Sequence, residues 1–465
     1  MTTALQRQKV ALVYLGVAVL SLYVGTLVAR NEQGLSMLLL AVLALCGLVM
    51  LASLPTEFLF LGWLFCAPLL QNSADLSALG RGLTWALYTA PAVFMAALTV
   101  IRQQHRIPAS FVDWMPATYV LYVLGSMMMT SDVLQASPVS TAKAVFTVVA
   151  LGPIIYYFLT FGPGVNVHSD RIVITIMVAG LCQGALAILE ATVGWSLWGH
   201  NGWQGIEGGT RVIATLANPG VLGAFLGVAI VVSVSILTWG GPRTLRRTSW
   251  ATVAVCTPSL FATLTRGPVL ATAVALVLVL LLGRARLLGL GVLVASALVV
   301  VILLPGFRNT EAYRERVAQR STLEIRTALQ DVSLQLAAEK PLLGWGYGSF
   351  DRVKNSSEVT VQGLPVRSVL ETTSHDTYLT KLVELGTIGL LLFVAPFLIL
   401  GYRGIAGWTR SRENWIVVAS MSSLLVLFLS ALTLDFRFFS LAQALPFVFL
   451  AILRRKTAAH DGLHS

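Results

Sequence analysis

Apolar stretches close to the length of a membrane span recur from one end of this chain to the other, and no other feature limits its fold as strongly. A hydrocarbon core about 30 Å thick takes about 20 residues of helix at about 1.5 Å each, so runs of this size read as transmembrane segments. In lipid the backbone must satisfy its own polar groups within the segment, which leaves helices as the expected form. The runs fall at residues 10–29, 34–53, 56–70, 83–101, 111–130, 141–161, 171–193, 213–238, 250–264, 267–283, 288–305, 377–400, 415–433 and 439–453. The expected fold is therefore all-α: a polytopic transmembrane helical bundle of about 12–14 spans. Composition agrees, with 56% of residues hydrophobic and 11% charged, where soluble domains carry about a quarter charged.

Placing the N-terminus in the cytoplasm and counting alternate loops tests the orientation. Inside segments then hold Arg7 and Lys9, Arg102 and Arg106, Arg171, Arg243 with Arg246 and Arg247, and Arg284 with Arg286. They continue with Arg403, Arg410 and Arg412, and finish with Arg454, Arg455 and Lys456. Short outside loops hold Arg30, Arg81, Arg211, Arg266 and Arg437. This bias follows the positive-inside rule and favours both termini inside. The expected organisation is a bundle at 1–305, a large extracytoplasmic loop at 306–376, and C-terminal spans with a cytoplasmic tail at 377–465.

The net charge of +11 is absorbed by these orienting loops. Without a basic stripe interleaved with aromatics it does not argue for nucleic acid. Cys46, Cys66, Cys182 and Cys256 all lie inside apolar runs and form no CxxC spacing, so neither loop disulfides nor a zinc site is expected. The run 10–29 is too long for a signal-peptide core and reads as the first span.

Chemistry gathers on the outside face of this topology. Within 306–376, residues 321–340 have helical periodicity, Pro341 ends that helix, and Gly344-Trp345-Gly346-Tyr347-Gly348 makes an aromatic turn. A loop of this length with its own structure is usually functional. Arg211 precedes Asn218-Pro219-Gly220, Arg266 sits in Thr265-Arg266-Gly267-Pro268, and His375 opens the twelfth span. Each has a plain structural reading: Arg266 snorkelling to headgroups, His375 beside a helix cap, Asn218-Pro219 a kink, Glu190 a solvated loop residue, Glu384 a helix–helix partner. Taken together they read differently. Guanidinium groups donate paired hydrogen bonds to phosphate oxygens, and a nearby histidine can accept a proton near neutral pH. No carboxylate pair is placed for a metal-bound nucleotide sugar.

These segments resemble the bacterial O-antigen ligase and O-antigen polymerase superfamily. The resemblance rests on Arg211 with Asn218-Pro219-Gly220, on Thr265-Arg266-Gly267-Pro268, and on Pro341 to Phe350 followed by Ser374-His375-Asp376-Thr377-Tyr378-Leu379 and Glu384-Leu385-Gly386-Thr387-Ile388-Gly389. It covers roughly residues 205–400. The family's usual third motif has asparagine after the histidine where this chain has Asp376, a charge that would favour protonated His375 if the two are close.

The resemblance implies a GT-C-like membrane glycosyltransferase, inverting and metal-independent, with no cofactor. Its donor would be a polyprenyl (undecaprenyl) diphosphate-linked glycan and its acceptor a hydroxyl on a lipid or glycan. It would act as ligase or polymerase of a surface polysaccharide on the outer face of the bacterial cytoplasmic membrane. By carry-over, Arg211 and Arg266 would hold the diphosphate and His375 would orient or deprotonate the acceptor. Asn218, Trp345, Tyr347, Tyr378 and Glu190 would complete the substrate-binding set, with membrane lipids as surroundings. A transporter or flippase of lipid-linked glycan is the competing class; clustering of the charges at one face, away from the midplane, counts against it.

Overall fold

The computed structural model of the chain describes residues 55–71, 77–101, 110–128, 145–197, 203–204, 210–216, 218–282, 321–356, 360–361, 364–365, 375–408 and 415–460. Contacts divide the chain into Met1–Gly62 and Trp63–Ser465. The helices are α1 (Thr56–Leu70), α2 (Ser77–Ile101), α3 (Phe111–Met128), α4 (Leu151–Thr160, entered through a π-helical turn at Val145–Ala150) and α5 (Ser169–Val193). They continue with α6 (Pro219–Thr238), α7 (Arg246–Ala262), α8 (Arg266–Leu282), α9 (Ser321–Glu339) and α10 (Phe350–Ser356). The last are α11 (Thr377–Trp408), α12 (Trp415–Ala431) and α13 (Ser440–His460). Two antiparallel ladders, β1 (Trp203–Gln204) with β2 (Thr210–Arg211) and β3 (Thr360–Val361) with β4 (Leu364–Pro365), complete the described elements.

Among the described residues, three helices are long and apolar enough to cross a membrane: Ser169–Val193, Pro219–Thr238 and Thr377–Ile405. The expected runs at 56–70, 83–101, 111–130, 141–161, 250–264, 267–283, 415–433 and 439–453 also fall on helices. Those at 10–29, 34–53 and 288–305 lie outside the described residues.

The centre is α6, which packs against α5, α7, α8 and α12. It is buried almost along its whole length. Gly223 and Gly227, on one face, bring its backbone against Thr265 and Pro268 and against Thr272 and Val426, where any Cβ would collide. Small residues do this work between membrane helices because lipid offers no hydrophobic drive for helix association. A second set of contacts joins α11 to α3 and α13, and α13 to α4.

Two expected spans have a different shape in the structure. The run 213–238 becomes helical only at Pro219, because Asn218 caps the helix with its side chain and Pro219 needs no N–H in the first turn. The run 377–400 is broken: Gly386 has φ 63° and ψ −171°, so α11 is two helices joined at a kink.

The helices also define two ends. Along α3, Asp113 bonds Arg454, while Ser126, thirteen residues or about 20 Å further on, accepts from the Tyr347 N–H. In α13, Gln443 reaches the carbonyl of Phe436, and Arg454 lies several turns later. The Asp113 end and the His375 end are therefore opposite.

Candidate active site

Arg211 lies at the edge of the β1–β2 ladder, paired with Trp203. The chain then turns through 212–218 under firm control. Glu190 Oε2 accepts from the backbone N–H of Ile213 at 3.1 Å and of Ala214 at 2.7 Å. Gln183 donates to Thr215 Oγ1 at 2.6 Å, and Thr215 donates to the carbonyl of Pro68 at 2.7 Å. Asn218 Oδ1 accepts from Gly220 at 2.8 Å. Ala214 is held at φ 47°.

Arg266 opens α8 from the turn after α7. Thr263 and Thr265 share a hydroxyl hydrogen bond of 2.6 Å. Gly267 packs so closely on Thr433 that a Cβ there would collide with it, which explains a glycine between the arginine and Pro268. The turn passes through Leu264 at φ 51°. Arg266 itself is exposed.

His375 is half-buried, directly before α11, with φ 52°. The helix behind it is well anchored: Asp376 Oδ1 accepts from the N–H of Tyr378 at 2.8 Å and of Leu379 at 3.0 Å. Thr377 Oγ1 donates to the carbonyl of Leu434 at 2.7 Å and accepts from the Phe436 N–H at 3.0 Å. Ala214, Leu264 and His375 are the non-glycine residues with positive φ among the described residues. Side-chain-bearing residues avoid this region, and such outliers gather at functional sites. Here each falls at, or within three residues of, an arginine or histidine singled out by its chemistry.

Electrostatics joins these segments. Burial and the charges of Arg326 and Arg211 push the His375 imidazole down to about 4. Arg326, on α9, keeps contact with solvent, yet partial desolvation and the charge of Arg266 lower its pKa. Arg211 and Arg326 thus act on His375, and Arg266 acts on Arg326, which gathers the four residues at one end of the helices. Burial raises the Asp376 carboxyl, and its oxygen is committed to the helix cap. The net shift of His375 is downward, set by burial and the two arginines, with Asp376 turned to the helix cap.

Residues 251–394 match the model of a family described as O-antigen ligase. Over this segment the chain is similar to that family. The match supports the resemblance to the O-antigen ligase superfamily over this part of the chain. No curated protein matches the chain.

The matched segment contains Arg266, Arg326, Trp345, Tyr347, His375 and Tyr378; Arg211, Asn218, Glu190 and Arg437 lie outside it. Its glycine motifs have a mechanical explanation. The break at Gly386 leaves backbone groups without helical partners, and the turn after α9 takes them. The N–H of Trp345 and Gly346 donate to the carbonyls of Val383 and Glu384 at 2.9 and 2.8 Å, while Thr387 N–H donates to the Pro341 carbonyl at 2.8 Å. Gly344 and Gly386 both have positive φ, and a Cβ on either would strike the opposite backbone.

A missed arginine strengthens the same junction. Arg437 pairs with Glu384 at 2.7 Å, Asp435 at 3.0 Å and Asp351 at 3.5 Å. Burial works against its charge, and these carboxylates outweigh it, raising its pKa. It thereby ties α10, α11 and the turn before α13.

The remaining expected site residues sit in structural surroundings. Tyr347, expected in the substrate-binding set, is buried between α3 and α11 with Tyr119 and Leu385. Trp345 packs on α9 and donates from Nε1 to the Leu336 carbonyl at 2.9 Å. Tyr378 donates to the Phe428 carbonyl at 2.9 Å and packs on that ring. Asn218 is a helix cap, and Glu190 holds the turn that carries Arg211.

Proposed function

We propose that the protein transfers a glycan from a polyprenyl diphosphate carrier to an acceptor hydroxyl at the outer face of the bacterial cytoplasmic membrane, as a surface-polysaccharide ligase or polymerase. The observation that carries this reading is the gathering of Arg211, Arg266 and Arg326 around half-buried His375, on turns that pass through positive φ at Ala214, Leu264 and His375. The proposed setting is a GT-C-like bundle of about fourteen spans with the His375 end outside.

The acceptor oxygen attacks the anomeric carbon from the side opposite the diphosphate. The new glycosidic bond forms as the bond from that carbon to the phosphate oxygen breaks, giving inversion. The departing electrons settle on polyprenyl diphosphate, where the arginines meet the growing negative charge. The acceptor proton passes to His375. An imidazole at about 4 is a weak base, but the donor's own negative charges offset the neighbouring arginines and raise it once the donor is seated. The base is thus strengthened by the substrate it serves, and no metal is needed to carry the charge.

Proteoliposomes containing wild-type, Arg266→Ala or His375→Ala protein, given a defined polyprenyl-diphosphate oligosaccharide and candidate acceptors, test the reaction. Wild-type protein is expected to form the new glycosidic bond with inverted anomeric configuration, and both variants to lose about 100-fold or more in rate. Full transfer by either variant, or movement of the lipid-linked sugar across the bilayer with no new bond, overturns it.

A further inference from the structure

The turn joining α9 to the ligase motif is its most apolar part and stands exposed. Leu342 is 63% and Leu343 55% exposed, with no polar side chain between Pro341 and Gly344. It is nonetheless fixed. The carbonyls of Pro341 and Leu342 accept from the N–H of Thr387 and Ile388 at 2.8 and 3.3 Å, and Tyr122 donates to the Leu343 carbonyl at 3.4 Å. Backbone bonds therefore hold both leucines beside the point where α11 resumes after Gly386.

From that point α11 presents Ile388, Leu391, Leu398, Tyr402 and Ile405, all exposed and recurring at helical spacing along one face. On a membrane-crossing helix such a face meets acyl chains. Leu342 and Leu343 continue this surface past the break. The flanking groups mark the headgroup layer: Lys340 Nζ lies 3.9 Å from the Trp345 ring centroid, and the indole N–H is already bonded to Leu336. Lysine and tryptophan beside an aliphatic pair, each with an apolar body and a polar tip, are typical of a membrane–water boundary.

We infer that the Pro341–Leu343 turn is a membrane anchor, its leucines seated among phospholipid acyl chains of the leaflet at the His375 end, with Lys340 and Trp345 at headgroup level. The anchor is continuous with α9, whose Leu336 and Ala337 share a core with Val383 of α11. It therefore sets the height of the helix carrying Arg326 relative to the layer in which lipid phosphates lie.

Full-length protein with Cys46, Cys66, Cys182 and Cys256 replaced by alanine, carrying Leu342→Cys, Leu343→Cys or Asn355→Cys, is labelled with bimane and reconstituted in phosphatidylcholine nanodiscs. Asn355, exposed on α10, supplies the aqueous reference. In discs containing lipid with a doxyl group near the top of the acyl chain, probes at 342 and 343 are expected to lose most of their fluorescence and to resist aqueous iodide. The probe at 355 is expected to do the reverse. Probes at 342 and 343 that ignore doxyl lipid and are quenched by iodide as readily as that at 355 overturn the anchor. Neither readout depends on glycan transfer, so this inference and the proposed reaction stand or fall separately.

Discussion

Charge is handled in opposite ways at the two ends of the helices. At one end, Arg454 donates to both oxygens of fully buried Asp113, at 2.7 and 2.9 Å, and Tyr156 donates to the same carboxylate at 2.8 Å. Both charges of that pair have their complement, and the backbone around them is ordinary helix. At the other end, Arg326 and Arg211 bear on His375 and Arg266 bears on Arg326, cation beside cation, on turns that pass through positive φ. Even within that end the arginines divide: Arg437 is surrounded by three carboxylates and works as a tie. A balanced pair holds helices together. Like charges kept close by a strained and heavily hydrogen-bonded backbone suit the diphosphate donor of the proposed reaction.

The comparison breaks most visibly through stability. Asp113→Ala leaves Arg454 buried opposite an apolar side chain, and the loss of one partner from such a pair costs about 3–5 kcal/mol. Thermal or denaturant unfolding of the reconstituted protein is expected to show that loss. Arg326→Ala, which removes a cation from a crowd of cations, should stay within about 0.5 kcal/mol of wild type or gain slightly. A large loss from Arg326→Ala would show that it belongs with the structural arginines.

Turnover should invert the order. Initial transfer rates are expected to fall about 100-fold for Arg326→Ala. Arg326→Lys should recover part of that, because a point charge replaces a planar fork. Folded Asp113→Ala protein should retain wild-type turnover per molecule. The smallest effect belongs to Asn218→Ala, expected to lower stability by about 1 kcal/mol through loss of the α6 cap. Its transfer rate should change only as far as the neighbouring Arg211 turn loosens.

These contrasts also mark what could be read from the chain alone. Arg211, Arg266 and His375 were legible because polar side chains at the mouths of apolar runs are costly, and loop counting put them on one face. Arg326 was not, since an arginine on a solvent-facing helix is unremarkable by composition. Its signal lay in register: Leu329, Val332 and Leu336 form the buried stripe of α9, and Arg326 stands one turn before Leu329 on that side. The break at Gly386 was hidden because Glu-Leu-Gly-Thr-Ile-Gly continues an apolar run, and its cause lies in backbone bonds to Pro341 and Leu342, far away in sequence. For the same reason the sequence offers Trp345, Tyr347 and Tyr378 as substrate-binding residues without their partners: nothing local reveals that Ser126, Leu336 and Phe428 engage them. Arg454 and Arg437 had entered only as charges that orient loops. Their partners Asp113 and Glu384 are distant in the chain, and pairing of this kind is invisible to periodicity.

The central claim is that burial and neighbouring arginines disfavour the proton on His375 until diphosphate arrives. Titrating its imidazole by NMR, in protein carrying isotope-labelled histidine assigned through His375→Gln, tests this directly. Without ligand the pKa is expected near 4, because burial, Arg326 and Arg211 all disfavour the proton. The sign of each change then follows. Arg326→Gln removes a cation and should move the value up toward about 6.5. Polyprenyl diphosphate supplies negative charge and should raise it as well, placing the acid limb of kcat at higher pH than that of kcat/KM. A free-protein value near about 6.5, unmoved by Arg326→Gln and by polyprenyl diphosphate, would contradict the account.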